Sequence, residues 1–193
     1  MVTLLAKCFI KEQGKNEQQV RKAYGTLCSI LGIFLNVCLF AGKYVAGFLS
    51  GSIAIMADAF NNLSDAGSSF ITLIGFVFAG KKPDSDHPFG HGRIEYLSGL
   101  GVAFLIMLMG VELGKSSLNK ILHPETVELG TLSIVILLVS ILVKLYMAYY
   151  NRKVGKKISS AAMAATATDS MSDALSTTVV LLAMLFLHIT NIN

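Results

Sequence analysis

The chain has few charged residues, three cysteines and no tryptophan. Only 15% of its 193 residues are charged, whereas soluble domains average about 25%. It has no tryptophan, so tyrosine and phenylalanine are the only aromatic anchors for a membrane surface. With 53% hydrophobic residues and a mean hydropathy of +0.63, the sequence predicts an integral membrane protein.

The cysteines and the basic residues exclude further classes. Cys8, Cys28 and Cys38 have no CxxC spacing, which argues against a disulfide framework or a thiolate metal site. The formal net charge is +4, but no basic run is interleaved with aromatic residues, so we expect no nucleic-acid partner. Residues 1–23 are polar and basic and lack the apolar run of a cleaved signal peptide. We interpret them as a partly helical arm.

Five apolar stretches of near-spanning length follow the arm. We therefore predict an all-α fold, a polytopic membrane helical bundle whose surface is in contact with the lipid bilayer. The predicted organisation is a cytosolic arm at 1–23 and a membrane domain at 24–193, with spans at about 24–49, 52–80, 94–122, 131–150 and 159–189.

The distribution of basic residues predicts the orientation. Lysine and arginine are frequent in the arm and in the predicted loops 81–93 and 152–157, but the connections at 50–51 and 123–130 have none. Basic loops stay on the cytoplasmic side. We therefore expect a cytoplasmic N-terminus, and we expect the protein to lie in the plasma membrane.

Two pairs of polar residues lie inside the predicted spans. Asn61 and Asp65 in the second span are four residues apart, as are Asp169 and Asp173 in the fifth, so each pair lies on one helix face. At about 1.5 Å per residue, both pairs reach the middle of a core about 30 Å thick. Ionisable groups there are costly and mark functional sites. Oxygen ligands favour Mg²⁺, Mn²⁺ or Fe²⁺, so the sequence predicts a divalent-cation site.

Other features leave alternatives open. Each polar pair could instead form a hydrogen-bonded contact between helices. Asp58 fits a role next to the ligands, or a contact with Lys43 or Asn36 of the first span. Small residues at 161–168 and 67–69 would let the second and fifth spans approach closely.

The loop between the second and third spans has a separate cluster, Asp84, His87 and His91. Its imidazoles suit Zn²⁺ or a similar ion, so the cluster is a possible loop metal site. Histidines in such a loop can also be solvated residues without a ligand.

The segments 51–65, 87–95 and 169–173 closely resemble the cation diffusion facilitator family, in the same order and spacing. The resemblance implies a divalent-metal efflux carrier with six membrane helices, usually followed by a cytosolic ferredoxin-like domain. It also implies a homodimer that exchanges metal for protons.

The resemblance further implies which residues bind the metal. The central site of the family corresponds here to Asn61, Asp65, Asp169 and Asp173. Zinc-transporting members usually have a histidine, typically at the position of Asp169, whereas this set resembles the manganese-exporting branch. Asp84 and the two loop histidines match a second metal site seen in some members.

We therefore predict Mn²⁺ export by alternating access, with proton exchange as the expected coupling and no cofactor besides the transported ion. An exporter of Fe²⁺, Zn²⁺ or Co²⁺ is the nearest alternative. The chain ends after the fifth predicted span, so we expect the sixth helix and the cytosolic domain to be absent from it, and a transport-inactive fragment is another alternative. An enzyme is not expected, because the Gly-x-Gly-Asp signature of intramembrane aspartyl proteases does not occur.

Overall fold

The part of the chain that the computed structural model describes is mostly helical. It comprises residues 16–50, 53–81, 83–85, 87–122 and 131–190. Five helices and no strand occur in these ranges: α1 Glu17–Ser50, α2 Ile53–Ala79, α3 Ile94–Leu122, α4 Thr131–Lys157 and α5 Ala161–Thr190. The predicted all-α fold is confirmed.

The surface of the bundle is apolar. Phe34, Phe48 and Leu142 have 61%, 71% and 67% of their surface exposed. In water such a surface favours aggregation, whereas in lipid it carries no penalty. Among the described residues, four stretches are long and apolar enough to cross a membrane: Glu17–Leu49, Asp58–Ala79, Ile94–Glu112 and Ile134–Lys157. The chain is therefore an integral membrane protein, and the crossing of the membrane by α5 stays a prediction.

One helix end fits the partly helical arm that was predicted, and another differs from the prediction. The first helix begins at Glu17, so the end of the predicted arm continues directly into the first apolar stretch. Residues 152–157, predicted as a loop, form the last turns of α4; this prediction was wrong. Lysine and arginine are good helix formers, and cations near a helix C-terminus interact favourably with its dipole. Only residues 158–160 remain as the connection to α5.

Close helix packing depends on small residues. The helices pack as α1 on α2 and α4 on α5, with α3 beside α2 and α5. A Cβ atom on Gly99 of α3 would lie 3.2 Å from the backbone of Ala162 in α5, so the two helix backbones approach closely there. Between α2 and α5 the hydroxyl oxygens of Thr72 and Thr166 are 3.5 Å apart. Gly67, in contrast, is exposed.

An apolar cluster joins four helices at the end of the bundle where α2 ends and α3 begins. Buried residues of α1, α2 and α4 form most of it, together with the 158–160 turn and the start of α5. Its members are Tyr24, Cys28, Phe76, Met147, Tyr150, Val154, Ile158 and Met163. Fully burying one large apolar side chain contributes about 1.5–3 kcal/mol in water-soluble proteins. In this bundle the packing holds α2, α4 and α5 in a fixed arrangement around the polar residues described next.

Candidate metal centre

Three carboxylates from two helices meet inside the bundle. Asp65 of α2 and Asp169 and Asp173 of α5 each offer an oxygen, and these oxygens all lie within 4.8 Å of one another. Asp65 and Asp169 are buried, with 2% and 7% exposure, and Asp173 is half-buried. Oxygen ligands on opposite sides of a cation such as Ca²⁺ are about 5 Å apart. The three oxygens are therefore close enough to bind one ion.

The hydroxyls near the carboxylates of α5 bond within their own helix and not to the carboxylates. On α5, Thr166 Oγ1 donates to the carbonyl of Ala162 at 3.1 Å, and Ser170 Oγ donates to the carbonyl of Thr166 at 3.0 Å. Such bonds to the preceding turn satisfy a hydroxyl without a partner from another helix. The four-residue spacing of Asp169 and Asp173 then places both carboxylates towards Asp65.

One oxygen of the cluster has no hydrogen-bond partner in the described part of the chain. Among the described residues, no group donates a hydrogen bond to the buried Oδ1 atom of Asp65. Buried polar atoms almost always have a partner, and a buried carboxylate oxygen without one is costly. This oxygen is therefore available to a cation.

The amide of Asn61 lies one helical turn before Asp65 on α2 and is half-buried. Its role as a fourth ligand stays a prediction. The next residue, Asn62, has 1% exposure, and its Nδ2 donates to the Asp58 carbonyl at 2.9 Å. Asn62 is not among the predicted ligands, although it is three residues from Asp65 and so lies on nearly the same helix face.

Asp58 forms an ion pair with the first helix. Its Oδ2 lies 2.8 Å from Nζ of Lys43, which has 3% side-chain exposure. This contact is one of the alternatives that the sequence left open for Asp58. A role of Asp58 next to the metal ligands stays a prediction.

A lysine that was not among the predicted site residues lies at the carboxylate cluster. Nζ of Lys144 on α4 is 2.5 Å from Asp65 Oδ2 and 2.6 Å from Asp173 Oδ2, and the lysine side chain has 3% exposure. A signal was present in the sequence, because an ionisable residue in the middle of an apolar stretch is expected to have a partner. The ammonium makes charge-assisted hydrogen bonds to both helices that form the cluster.

The loop cluster is also assembled. The backbone N–H of His87 donates to Asp84 Oδ1 at 2.7 Å, and Nε2 of His91 lies 3.5 Å from Asp84 Oδ2. One possible ligand atom from each residue lies within 4.8 Å of the others. The hydrogen bond from the His87 backbone, followed by weaker contacts with both histidines, holds the pKa of Asp84 below its ordinary value. Asp84 is therefore ionised at neutral pH and can attract a cation.

The histidine rings are held close together by the turn before α3. Their centroids are 4.4 Å apart, and Gly90, with a φ of 80°, supplies the left-handed backbone conformation that this turn requires. His91 is buried with 8% exposure, and its Nδ1 has no hydrogen-bond partner among the described residues. The predicted loop residues thus come together in a second possible metal site.

Comparison with known proteins gives one family. The profile of the cation efflux transmembrane domain matches residues 29–193. Mitochondrial metal transporter 2 of Saccharomyces cerevisiae is 37% identical over 109 residues, which are 56% of this chain and 22% of that protein. Two Bacillus subtilis relatives are the manganese efflux system proteins MneS, 37% identical over 84 residues, and MneP, 32% identical over 83.

The matched regions are parts of longer proteins. The two Bacillus subtilis matches cover 44% and 43% of this chain, and 29% and 28% of the relatives. The chain thus covers less than a third of the length of each of these three relatives.

Proposed function

Because the chain belongs to the cation efflux family of metal transporters, we propose that it exports divalent cations and that Mn²⁺ is its main cargo. The observation that carries this proposal is the buried cluster of Asp65, Asp169 and Asp173 oxygens. Hard oxygen ligands suit Mn²⁺, whereas Zn²⁺ sites usually include histidine or cysteine. The names of the relatives MneS and MneP support the same cargo.

The proposed ligand set has three carboxylates and one amide. Asp65, Asp169 and Asp173 supply the charge that attracts a divalent ion from the cytoplasm, and Asn61 supplies a neutral oxygen. Because the ligands belong to two helices, a relative tilt of α2 and α5 exposes the site to one side of the membrane at a time. Exchange for protons would reduce the negative charge that the site carries inside the membrane after the ion has left. The expected setting is the plasma membrane, with a cytoplasmic N-terminus and a homodimeric assembly.

Calorimetric titration of the purified protein tests the central site. We expect Mn²⁺ to bind, and Asp169→Ala to weaken binding by at least about tenfold, because losing even a group that only orients a metal ligand typically costs about 10–100-fold in affinity. Glu112→Gln is the matched control, because Glu112 is an exposed acid on α3 outside the cluster. Equal affinities of the wild type and Asp169→Ala would refute the assignment of this ligand.

The alternative cargoes Fe²⁺, Zn²⁺ and Co²⁺ are tested in the same titrations. Fe²⁺ shares the ligand preferences of Mn²⁺, while Zn²⁺ and Co²⁺ generally bind more tightly in the affinity order of divalent metals. We therefore expect selectivity to appear in transport rather than in binding. Competition between metals during uptake into proteoliposomes measures it, and preferred uptake of Zn²⁺ over Mn²⁺ would contradict the manganese assignment. If residues 1–193 transport no ion while a longer protein containing them does, the fragment alternative is correct.

For the loop cluster we propose a separate Zn²⁺ site formed by Asp84, His87 and His91. Its two imidazoles and one carboxylate are a common Zn²⁺ ligand set. We expect His87→Ala with His91→Ala to abolish one Zn²⁺ binding event in calorimetry and to leave Mn²⁺ binding at the central site unchanged. Unchanged Zn²⁺ stoichiometry would exclude this loop site.

A further inference from the structure

The carboxylate cluster is already in contact with a positive charge from the protein itself. Nζ of Lys144 lies 2.5 Å from Asp65 Oδ2 and 2.6 Å from Asp173 Oδ2. The lysine is on α4, whereas the carboxylates belong to α2 and α5. The ammonium therefore lies among the groups that are proposed to bind the transported ion.

We propose that the Lys144 ammonium is a built-in competitor of the transported cation, which must displace it from Asp65 and Asp173 in order to bind. This inference rests on the proposed function, because it assumes that the cluster binds cargo. It assigns to Lys144 a role in affinity and release, in addition to the contact between helices.

The geometry favours competition over a purely structural contact. The ammonium bonds to one oxygen of each of two carboxylates, and those carboxylates have oxygens within 4.8 Å of a third, from Asp169. A metal ion bound by all three would take over the same part of the cluster. Two cations cannot occupy it together without strong repulsion in a water-poor interior. The flexible four-carbon stem of lysine allows the ammonium to move aside.

A second buried lysine, Lys43, contacts a carboxylate outside the cluster, unlike Lys144. Lys43 also has 3% side-chain exposure, and its Nζ lies 2.8 Å from a single carboxylate, that of Asp58. Asp58 is not a member of the carboxylate cluster. Lys43 thus links α1 to α2 as an ordinary ion pair, and it provides a matched control for Lys144.

The charge of the site supports an exchange of cations. With all groups ionised, the three carboxylates and the ammonium carry a formal charge of −2, which one divalent cation neutralises. Without the ammonium the charge is −3, so a metal ion would be held more tightly. When the cargo leaves, the returning ammonium satisfies Asp65 and Asp173 and opposes rebinding. Lys144 therefore lowers affinity and promotes release.

The direction of the change in Mn²⁺ affinity when Lys144 is replaced distinguishes competition from a purely structural role. If Lys144 competes, Lys144→Met tightens Mn²⁺ binding by on the order of tenfold, within the range of typical coupling between two ligands. If Lys144 only holds the carboxylates in place, the same substitution disorders the site and weakens binding. In transport, competition predicts that both KM and Vmax fall, because the cargo binds more tightly and leaves more slowly.

The experiment is Mn²⁺ titration and proteoliposome uptake with wild-type protein, Lys144→Met, Lys144→Gln and the control Lys43→Met. The glutamine variant retains a hydrogen-bond donor without the charge, and it decides the question if Lys144→Met does not fold. We expect tighter binding and lower Vmax in the Lys144 variants and a wild-type affinity in Lys43→Met.

Two further outcomes are distinguishable. In the first, the folded Lys144 variants bind Mn²⁺ as tightly as the wild type or more weakly, while Asp169→Ala still weakens binding. This result would overturn the competitor role alone. Wild-type protein that binds no Mn²⁺, or binds it equally in Asp169→Ala, would overturn the proposed function itself.

Discussion

The contact between Lys144 and two of the three carboxylates predicts that the three aspartates contribute differently to stability. Asp65→Ala removes the more buried of the two partners of the ammonium. Removing one partner of a buried ion pair costs about 3–5 kcal/mol. Because Lys144 keeps Asp173, we expect about 3 kcal/mol, the lower end of that range. Asp169→Ala removes a like charge near Asp65 instead, and we expect it to cost less than about 1 kcal/mol.

These free energies correspond to measurable shifts of the melting temperature. For proteins of this size, 1 kcal/mol shifts Tm by about 2–4 °C, so Asp65→Ala should lower Tm by about 6–12 °C without metal. The chain has no tryptophan, but Cys28 is buried with 1% exposure and becomes reactive to a thiol dye on unfolding. Replacing Cys8 and Cys38 by serine leaves Cys28 as the single reporter.

The two variants control for each other, since both shorten a buried aspartate to alanine. We expect Asp65→Ala to melt well below Asp169→Ala, and the difference to disappear when Lys144 is replaced by methionine in both. If Asp65→Ala and Asp169→Ala melt at the same temperature when Lys144 is retained, the ammonium contacts contribute nothing to the stability of the fold. That result would refute this reasoning.

Two other substitutions test selectivity and packing. Asn61→His should shift preference from Mn²⁺ towards Zn²⁺, because imidazole suits zinc better than an amide oxygen; unchanged competition between the two metals in transport would contradict this. Gly99→Leu should strongly reduce the yield of folded protein, since even its Cβ would lie 3.2 Å from the Ala162 backbone, whereas Gly110→Leu, with open space around Gly110, should not. Equal yields of the two leucine variants in size-exclusion chromatography would refute the close approach of α3 and α5.

The sequence predicted the helices well because apolar runs of spanning length have few alternatives. The predicted third span, 94–122, coincides with α3, Ile94–Leu122. Helix ends were less predictable: the basic residues 152–157 resemble a loop by charge, yet they continue α4 to Lys157. Charge indicates which side of the membrane a segment lies on, but it does not determine where the helix ends.

The candidate site was predictable only where it has a local pattern. The four-residue spacing between Asp169 and Asp173 is visible in the sequence, and so is the matching pair in α2. Lys144 has no such pattern, because its two partners are 79 and 29 residues away along the chain. Its contacts depend on the packing of α4 against α5 and near α2, which composition and spacing do not specify.

The central claim is tested most directly by Mn²⁺ export from proteoliposomes by wild-type protein and by Asp173→Ala. Asp173 is both a proposed cargo ligand and a partner of Lys144, and comparison of the folded fraction of each preparation excludes a simple loss of protein. We predict that Asp173→Ala abolishes export while Glu112→Gln exports at the wild-type rate. Export by folded Asp173→Ala at the wild-type rate would contradict the proposed carboxylate site.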